Sequence, residues 1–292
     1  MSVLLFVSQL LNGLLDGVYY LLIALGLSLI FSLGGIVNLA HGAFFAIGAY
    51  LALVLTPYLG FFGALIVAPL LVGTLGALVE RLLFKRFYRI DPLYSLLLTF
   101  GLSMMIEQSL RWYFGSAPHA YSIPDALRGQ FFLGDFVYSR YRTFLICVAL
   151  MMVALVWVLL NKTAFGRIVK AGVQNPDILG TLGISLRPYL TSVSAIAIGI
   201  AGLAGVMLAP IQPVHPLMGA EVGTAAFVVV VIGGLGSFWG VVIAALLVGI
   251  VKGFMIAIGF SQYSMLAIYL LMFLVLLIRP RGLMGERITR FE

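Results

Sequence analysis

The chain alternates long apolar stretches with short polar ones along its whole length. The apolar stretches fall near 9–33, 43–56, 60–83, 92–113, 141–161, 188–210, 221–235, 240–258 and 263–279. Most of them are long enough for a helix that crosses the hydrocarbon core of a bilayer, which takes about 20 residues. They are continuous, whereas the strands of a transmembrane β-barrel alternate between apolar and polar residues. The pattern predicts an all-α polytopic membrane protein with about 8–9 transmembrane helices.

Composition supports a membrane protein and excludes several other classes. Of the 292 residues, 63% are hydrophobic and 9% are charged, which is more apolar than a soluble domain needs. The only cysteine, Cys147, lies inside an apolar stretch, so disulfides and cysteine-based metal sites are not expected. The net charge of +7 does not predict nucleic-acid binding, because the basic residues flank the apolar stretches and set membrane topology.

Most of the basic residues fall into three clusters. The clusters are Arg81, Lys85, Arg86 and Arg89; Lys162, Arg167, Lys170 and Arg187; and Arg279, Arg281, Arg287 and Arg290. The positive-inside rule places all three on the cytoplasmic side. The C-terminus is then cytoplasmic, and the loop 114–140 and the link 211–220 lie outside.

Two of the apolar stretches, 43–56 and 221–235, are short for a full crossing. Each adjoins a glycine-rich interruption, and the interruptions are Gly34 and Gly35 in the first half and Gly233, Gly234 and Gly236 in the second. Segment 32–51 also resembles segment 231–247. Matched interruptions in two halves are typical of the central pathway of a transporter. The alternative is coincidence, because glycine is common in membrane helices. We therefore expect one transmembrane domain over 1–292, with half-units at about 9–91 and about 221–292.

Asn38 and His41 lie in the first interruption. Backbone groups freed at a helix break must line a cavity or be buried in protein. One hypothesis is that both side chains contact a transported solute, with Asn38 capping the second half-helix. The other is that they only satisfy the broken backbone. Several glycines at helical spacing elsewhere are interpreted as helix-packing or subunit-contact positions, namely Gly13, Gly17, Gly199, Gly202, Gly205, Gly249 and Gly253.

The polar loop 162–187 predicts a short, capped helix. Asn175 suits the N-cap, Pro176 suits the first helical position, and Asp177 places a negative charge at the positive end of the helix dipole. Ile178, Leu179 and Leu182 follow at helical spacing, and Gly183 is a typical stop at position C′. Gly166, Arg167 and Lys170 precede this helix in the same loop. We expect the loop to dock a soluble partner.

Motifs for chemistry are missing from the sequence. None of the lysines follows a glycine, so there is no nucleotide-binding P-loop. The histidines 41, 119 and 215 are far apart, and no motif predicts a catalytic or metal site. Three charged residues lie within apolar stretches, namely Asp16, Glu107 and Lys252. Pairing within the bundle or at a subunit contact is the favoured interpretation, and a proton relay is the other.

Three ordered motifs resemble one family. They are GLSLIFSLGGIVNLAHGAFFAIGAYLA at 26–52, GRIVKAGVQNPDILGTLGIS at 166–185 and FVVVVIGGLGSFWGVVIAALLVG at 227–249. Together they are similar to the permeases of branched-chain amino-acid ABC importers of the LivH type. The resemblance makes 162–187 the cytoplasmic coupling loop, with 176–182 as the coupling helix. We then expect Ile178, Leu179 and Leu182 to fill a groove on an ATPase subunit, while Arg167 and Lys170 orient the loop by charge.

The resemblance also implies a function and a set of partners. It implies a permease that moves branched-chain amino acids, or related amides or urea, across a bacterial or archaeal inner membrane. A second related permease chain, two cytosolic ATPase subunits and a periplasmic or lipid-anchored solute-binding protein would complete the importer. ATP and Mg²⁺ would be bound by the ATPases, so no cofactor is expected in this chain and it is not an enzyme. The alternative is a stand-alone channel or ion-coupled carrier for a small polar solute.

Overall fold

The computed structural model describes residues 3–88, 92–133, 136–174 and 176–285. Its α-helices are α1 (Val3–Gly34), α2 (His41–Leu82), α3 (Pro92–Phe114), α4 (Arg140–Lys162), α5 (Ala164–Gln174), α6 (Pro176–Thr181), α7 (Arg187–Leu208), α8 (Met218–Gly233), α9 (Phe238–Ala257) and α10 (Ser264–Ile278). One antiparallel hairpin, β1 (Gln130–Leu133) and β2 (Phe136–Ser139), lies between α3 and α4, with Phe132 opposite Val137. The predicted all-α architecture is confirmed.

Within the described ranges, seven helices are long and apolar enough to cross a membrane. These are α1 from Ser8, α2, α3, α4, α7, α9 and α10. Helix α2 is broken at Gly60, whose φ of 67° and ψ of 173° turn the chain between two helical arms. Helix α8 has 16 residues, about 24 Å of helix, and corresponds to the short stretch 221–235. The short stretch 43–56 corresponds to the first arm of α2.

Helix α7 forms the centre of the bundle and packs on both arms of α2. A Cβ built on Gly205 would lie 2.0 Å from the carbonyl oxygen of Phe45, and one on Gly202 would lie 2.8 Å from the Cβ of Val72. Helix α1 is equally close to α9, because a Cβ on Gly13 would lie 2.4 Å from the carbonyl oxygen of Gly249. Such distances allow backbones to meet directly, so these predicted glycines are helix-packing positions within the chain.

The packing relates two groups of three helical segments. The first group is α1 and the two arms of α2, and the second is α7, α8 and α9. The contact of α1 with α9 is equivalent to the contact of α7 with the second arm of α2. The starts of α2 and α8 meet each other at Gly42 and Gly219. The interruption at 35–40 therefore corresponds to 209–217, and the turn at Gly234 corresponds to Gly60. This differs from the expected correspondence of 32–51 with 231–247.

The described basic residues of the three clusters gather at one end of the bundle, here called the basic end. Arg81, Lys85, Arg86 and Arg187 line one cavity there. The C-terminal tail reaches the same end, because the Met284 N–H donates to the carbonyl of Gly233 at 3.0 Å. Arg89, Arg287 and Arg290 lie outside the described residues. At the opposite end, backbone bonds of 2.8 and 2.9 Å join His119 to Val214 and tie the α3–α4 loop to the link before α8.

Candidate functional site: the broken segment and its contact with the coupling segment

The broken segment is the stretch 35–40 between α1 and α2. The chain leaves α1 at Gly34 and turns at Gly35, whose φ is 63°. Asn38 then closes a tight turn before α2. Its side-chain oxygen accepts a hydrogen bond from the Ala40 N–H at 3.1 Å, and its carbonyl accepts one from the His41 N–H at 3.2 Å. Asn38 therefore orders the residues that lead into α2, but the prediction that it caps this helix is wrong, because Ala40 occupies the N-cap position.

Thr99 on α3 holds this turn from the side, and the sequence did not single it out. Its hydroxyl accepts a hydrogen bond from the Leu39 N–H at 3.2 Å. The same oxygen lies 3.1 Å from the Val37 carbonyl and 2.9 Å from the Ser95 carbonyl, so it can donate to either. The side chain is fully buried. No local pattern marks this contact, because its partners are about 60 residues away in the chain.

The polar side chains of the break are buried and incompletely bonded. Asn38 and His41 are 1% and 2% exposed. The Asn38 Nδ2 and both ring nitrogens of His41 form no hydrogen bond of standard geometry with any described residue, although the backbone of Ile23 lies beside the ring. The ring also lies against Gly26, where a built Cβ would be 2.8 Å from Nε2. An unbonded buried polar group costs about 1–3 kcal/mol, so these atoms have hydrogen-bonding capacity that the described residues do not use.

The glycines of the second predicted interruption, Gly233, Gly234 and Gly236, lie away from Asn38 and His41. Gly234 and Gly236 have φ of 100° and 84° and form the tight turn between α8 and α9. A Cβ on Gly234 would lie 2.5 Å from the backbone nitrogen of Gly285, and one on Gly233 would lie 2.6 Å from the Gly240 carbonyl. Their small size permits these backbone contacts at the basic end. Helix α8 runs roughly 20 Å from Gly219 to this turn, so the structure separates these glycines from Asn38 and His41.

The loop 162–187 contains two helices, α5 and α6, and the sequence predicted only the second. Thr163 caps α5, because its hydroxyl accepts a hydrogen bond from the Gly166 N–H at 3.1 Å. Helix α6 ends at Thr181, and Gly183 follows at position C′ with a φ of 75°. The Gly183 N–H bonds the Gly180 carbonyl at 3.1 Å and the Ile184 N–H bonds the Leu179 carbonyl at 3.0 Å, which is a Schellman motif. Asn175 and the side chains of Pro176, Asp177 and Ile178 lie outside what the structure describes.

Exposure in this loop, here called the coupling segment, revises one expectation. Leu179 is 5% exposed and packs within the chain, so it cannot fill a groove on a partner. Leu182 is 68% exposed, so of the two predicted leucines it is the one that a partner could contact. Arg167 and Lys170 are exposed, and the Lys170 Nζ donates to the Asn161 side-chain oxygen at 2.7 Å.

The coupling segment touches the helix that leads into the break. A Cβ built on Gly172 of α5 would lie 2.6 Å from Leu186 and 3.3 Å from the Leu33 Cδ1 of α1. Leu33 immediately precedes Gly34 and Gly35. A cavity of 1310 Å³ adjoins this contact, lined by both of these glycines, by Gly172 and Gly180, and by the four cations of the basic end. The coupling segment therefore contacts the end of α1 that leads into the broken segment.

A buried carboxylate lies at the wall of this cavity. Glu80 is 2% exposed and accepts hydrogen bonds from the Tyr88 hydroxyl at 2.9 Å and from the Thr191 hydroxyl. Burial raises the pKa of Tyr88, and the neighbouring Glu80 carboxylate raises it further, so the phenol remains a hydrogen-bond donor. Glu80 thereby joins the end of α2 to the start of α7. No sequence pattern indicates this role, because a glutamate next to Arg81 resembles the ordinary charged flank of a membrane helix.

The charged residues of the apolar stretches are paired within the bundle, as favoured from the sequence. The Lys252 Nζ lies 2.8 Å from the Asp16 carboxylate, and Arg111 lies 3.0 Å from Glu107. Across the described residues, no group of three or more His, Cys, Asp or Glu side chains could hold a metal ion. The arrangement offers buried polar groups beside a break between two helices.

The long apolar helices, the broken segment with buried polar groups and the adjoining segment outside the bundle define a polytopic membrane permease. The sequence matches the family described as "Branched-chain amino acid transport system / permease component" over residues 9–276, so the chain belongs to this family. The expected resemblance is confirmed.

Similar proteins agree with this assignment. The "High-affinity branched-chain amino acid transport system permease protein LivH" of Escherichia coli K12 is 27% identical over 302 residues, covering 96% of each chain. The LivM permease protein of the same system and organism is 30% identical over 290 residues, covering 91% of this chain and 67% of LivM. Both are transport permeases, which confirms the prediction of a transport subunit and not an enzyme. Among solved structures, PsaBC from Streptococcus pneumoniae in complex with Fab is similar with a TM-score of 0.48 and 14% identity, covering 92% of this chain and 91% of that one.

Proposed function

We propose that this chain is the membrane-spanning subunit of an ATP-driven importer for branched-chain amino acids or related small polar solutes, such as amides and urea. Family membership and the names of its relatives support the solute class. The chain does no bond chemistry in this proposal. Two separate ATPase subunits bind ATP and Mg²⁺ and supply the energy.

The distribution of charge supports an orientation. Cations of the first two clusters line the cavity at the basic end, and the C-terminal tail that carries the third cluster reaches the same end. The positive-inside rule assigns such an end to the cytoplasm of a bacterial or archaeal inner membrane. The C-terminal tail is then cytoplasmic. The opposite end, which carries the hairpin β1–β2 and the His119–Val214 pairing, faces a periplasmic or lipid-anchored solute-binding protein.

The contact of α5 with Leu33 is the observation that carries the proposal. When the ATPases bind ATP, they displace the coupling segment through the exposed Leu182, and α5 moves the end of α1. The turn at Gly34 and Gly35 absorbs this motion, which changes the surroundings of Asn38. Apolar anchors dominate such contacts, while the rim charges of Arg167 and Lys170 add little affinity.

A second permease chain completes the pathway. The similarity to both LivH and LivM supports a partner that is related to this chain and different from it. Asn38 and His41 contact the solute in this proposal, because their unbonded nitrogens can bond a carboxylate, an amide or urea.

The proposal is tested with the complete importer in proteoliposomes. Leu182→Glu places a charge on the predicted ATPase contact, and Met284→Glu is the matched control, because Met284 is 49% exposed at the same end but outside the coupling segment. We expect Leu182→Glu to abolish ATP-dependent uptake of labelled leucine and co-purification of the ATPase, while Met284→Glu retains both. Both variants should elute as folded permease.

Two results would contradict the proposal. One is ATP-dependent uptake that survives Leu182→Glu. The other is uptake of leucine or urea by the permease reconstituted without ATPase subunits, which would instead identify a stand-alone channel or carrier.

A further inference from the structure

The end of the bundle opposite the basic end also carries cations, against the usual distribution in membrane proteins. In the described ranges they include Arg111, Arg128, Arg140, Arg142 and Lys252. Three of them pair with carboxylates, namely Arg111 with Glu107, Arg128 with Asp125 and Lys252 with Asp16. Arg140 lies over the Phe131 ring at 5.4 Å from its centroid. Arg142 differs from these, because its partner among the described residues is the neutral carboxamide of Asn12.

Arg142 belongs to a compact polar group between three helices. On α1, Asn12, Asp16 and Tyr19 follow at spacings of four and three residues, which places them on one face. Helix α4 brings the Arg142 guanidinium to the Asn12 oxygen, and α9 brings Lys252 to Asp16 at 2.8 Å. We call these five residues the Arg142 cluster. It holds two cations and one carboxylate, so its net charge is positive.

The cluster has unused hydrogen-bond donors. The Tyr19 hydroxyl is buried with the side chain 4% exposed, and it forms no hydrogen bond with a described residue. It is close enough to interact electrostatically with both Asp16 and Arg142. A guanidinium has five N–H donors, and one carboxamide oxygen leaves most of them free. Arginine with a hydroxyl is a donor set suited to a carboxylate, which arginine binds through two parallel hydrogen bonds.

The ion pair in the cluster is partly accessible. The side chains of Asp16 and Lys252 are 26% and 18% exposed. A charged pair facing lipid within a membrane helix is costly, so this opening is better explained by an aqueous path or a polar ligand. Asp16 then offers a second anionic contact beside the donors of Arg142 and Tyr19.

We propose that the Arg142 cluster is a binding site for a zwitterionic α-amino acid at the outer part of the import path. Arg142 and the Tyr19 hydroxyl bind the carboxylate of the amino acid. Asp16 attracts its ammonium group while remaining paired with Lys252. The inference rests on the proposed import function and narrows its solute class, because neutral amides and urea carry no carboxylate.

Cysteine substitution tests the site in the complete importer in proteoliposomes, with solute-binding protein present. Cys147 is exposed, so Cys147→Ser provides the parent. Arg142→Cys is compared with Arg140→Cys on the same helix. We expect Arg142→Cys to lower leucine uptake about 10- to 100-fold, the usual effect of losing a charged hydrogen bond. A trimethylammonium thiosulfonate reagent should restore uptake and a sulfonate reagent should not. L-leucine should slow modification of Arg142→Cys, whereas 4-methylpentanamide should not, and Arg140→Cys should show no protection.

Tyr19→Phe provides a test that does not depend on a large change of side chain. It removes a hydroxyl without a described partner, so the melting temperature should be unchanged or higher while leucine uptake falls several-fold. Unchanged uptake by both Tyr19→Phe and Arg142→Cys would overturn the inference. Modification of Arg142→Cys at a rate indifferent to leucine would also overturn it and would indicate that Arg142 binds lipid headgroups or only supports the fold. Failure of the wild-type importer to take up leucine with ATP would instead overturn the proposed function.

Discussion

The carboxylate of Glu80 on α2 accepts a hydrogen bond from the hydroxyl of Thr191 on α7, although both residues lie near the ends of apolar helices. Tyr88 donates to the other carboxylate oxygen at 2.9 Å. These bonds join the end of α2 to the start of α7, and both helices border the cavity beside the coupling segment. The network therefore joins α2 to α7 at the end of the bundle where α5 and α6 lie.

We expect Thr191→Val to destabilise the protein. The substitution keeps the shape of the side chain but leaves the buried carboxylate with one fewer donor, which costs about 1–3 kcal/mol. For a chain of this size the melting temperature should fall by about 2–10 °C. Ser192→Ala is the matched control, because the neighbouring Ser192 is exposed and donates to the Pro188 carbonyl of its own helix at 2.8 Å. Equal melting temperatures for the two variants in detergent would show that the Glu80 network does not stabilise the fold.

The contact between Gly42 and Gly219 supports a second prediction. A Cβ on Gly42 would lie 2.0 Å from the carbonyl oxygen of Gly219, a backbone atom that cannot rotate away. Gly42→Ala must therefore separate the starts of α2 and α8, and overpacking of this kind costs about 1–3 kcal/mol. We expect a lower yield of monodisperse permease and reduced uptake. Gly101→Ala serves as the control, since a Cβ at Gly101 meets nothing within 4 Å. The prediction is wrong if Gly42→Ala and Gly101→Ala elute alike and transport at the same rate.

The sequence predicted the helices well and their contacts poorly. A continuous apolar stretch is a strong local signal, so helices such as α4 and α9 fall close to their predicted positions. The glycine pairs of α1 and α9 could also be identified, because close helix packing requires small residues at regular spacing. The correspondence between segments of the two halves could not be identified from the sequence, because it depends on how the helices pack. The contact of Gly42 with Gly219, which indicates this correspondence, exists only in the folded protein.

The candidate site was predictable only where a local sequence signal marks a residue. Asn38 and His41 stand out beside a glycine-rich break, and Gly183 stands out as a helix stop. Helix α5 was missed because it is short and contains Gly166 and Gly172, which lower helix propensity, and because it is held by tertiary contacts such as that of Gly172 with Leu186 and Leu33. Glu80 and Thr99 act through partners far away in the chain, so no local pattern marks them.

The ion pair of Asp16 and Lys252 leads to a prediction about stability. Either substitution alone, Asp16→Ala or Lys252→Ala, leaves an uncompensated charge between membrane helices. Because the pair is partly exposed, the cost should lie below the value of about 2.5–3.5 kcal/mol for a helix centre. The double variant removes both charges, so we expect its loss of stability to be smaller than the sum of the single losses. Melting temperatures of the four proteins in one detergent measure this coupling. Additive losses would show that the 2.8 Å pair contributes no coupling energy.

Thr99 provides the most direct test of the broken segment. Its hydroxyl accepts from the Leu39 N–H at 3.2 Å and reaches the Val37 carbonyl at 3.1 Å, so it fixes the turn that carries Asn38. Thr99→Val removes these bonds in a fully buried position, whereas Thr99→Ser keeps the hydroxyl. If the turn forms part of the import path, Thr99→Val should lower the maximal rate of ATP-dependent uptake about 10-fold or more, the effect of leaving buried polar groups unbonded. Thr99→Ser should retain most of the rate, and co-purification of the ATPase should be the same for both. Loss of the ATPase from Thr99→Val would show that the substitution disturbs the whole bundle. An unchanged uptake rate would show that the geometry of this turn does not limit transport.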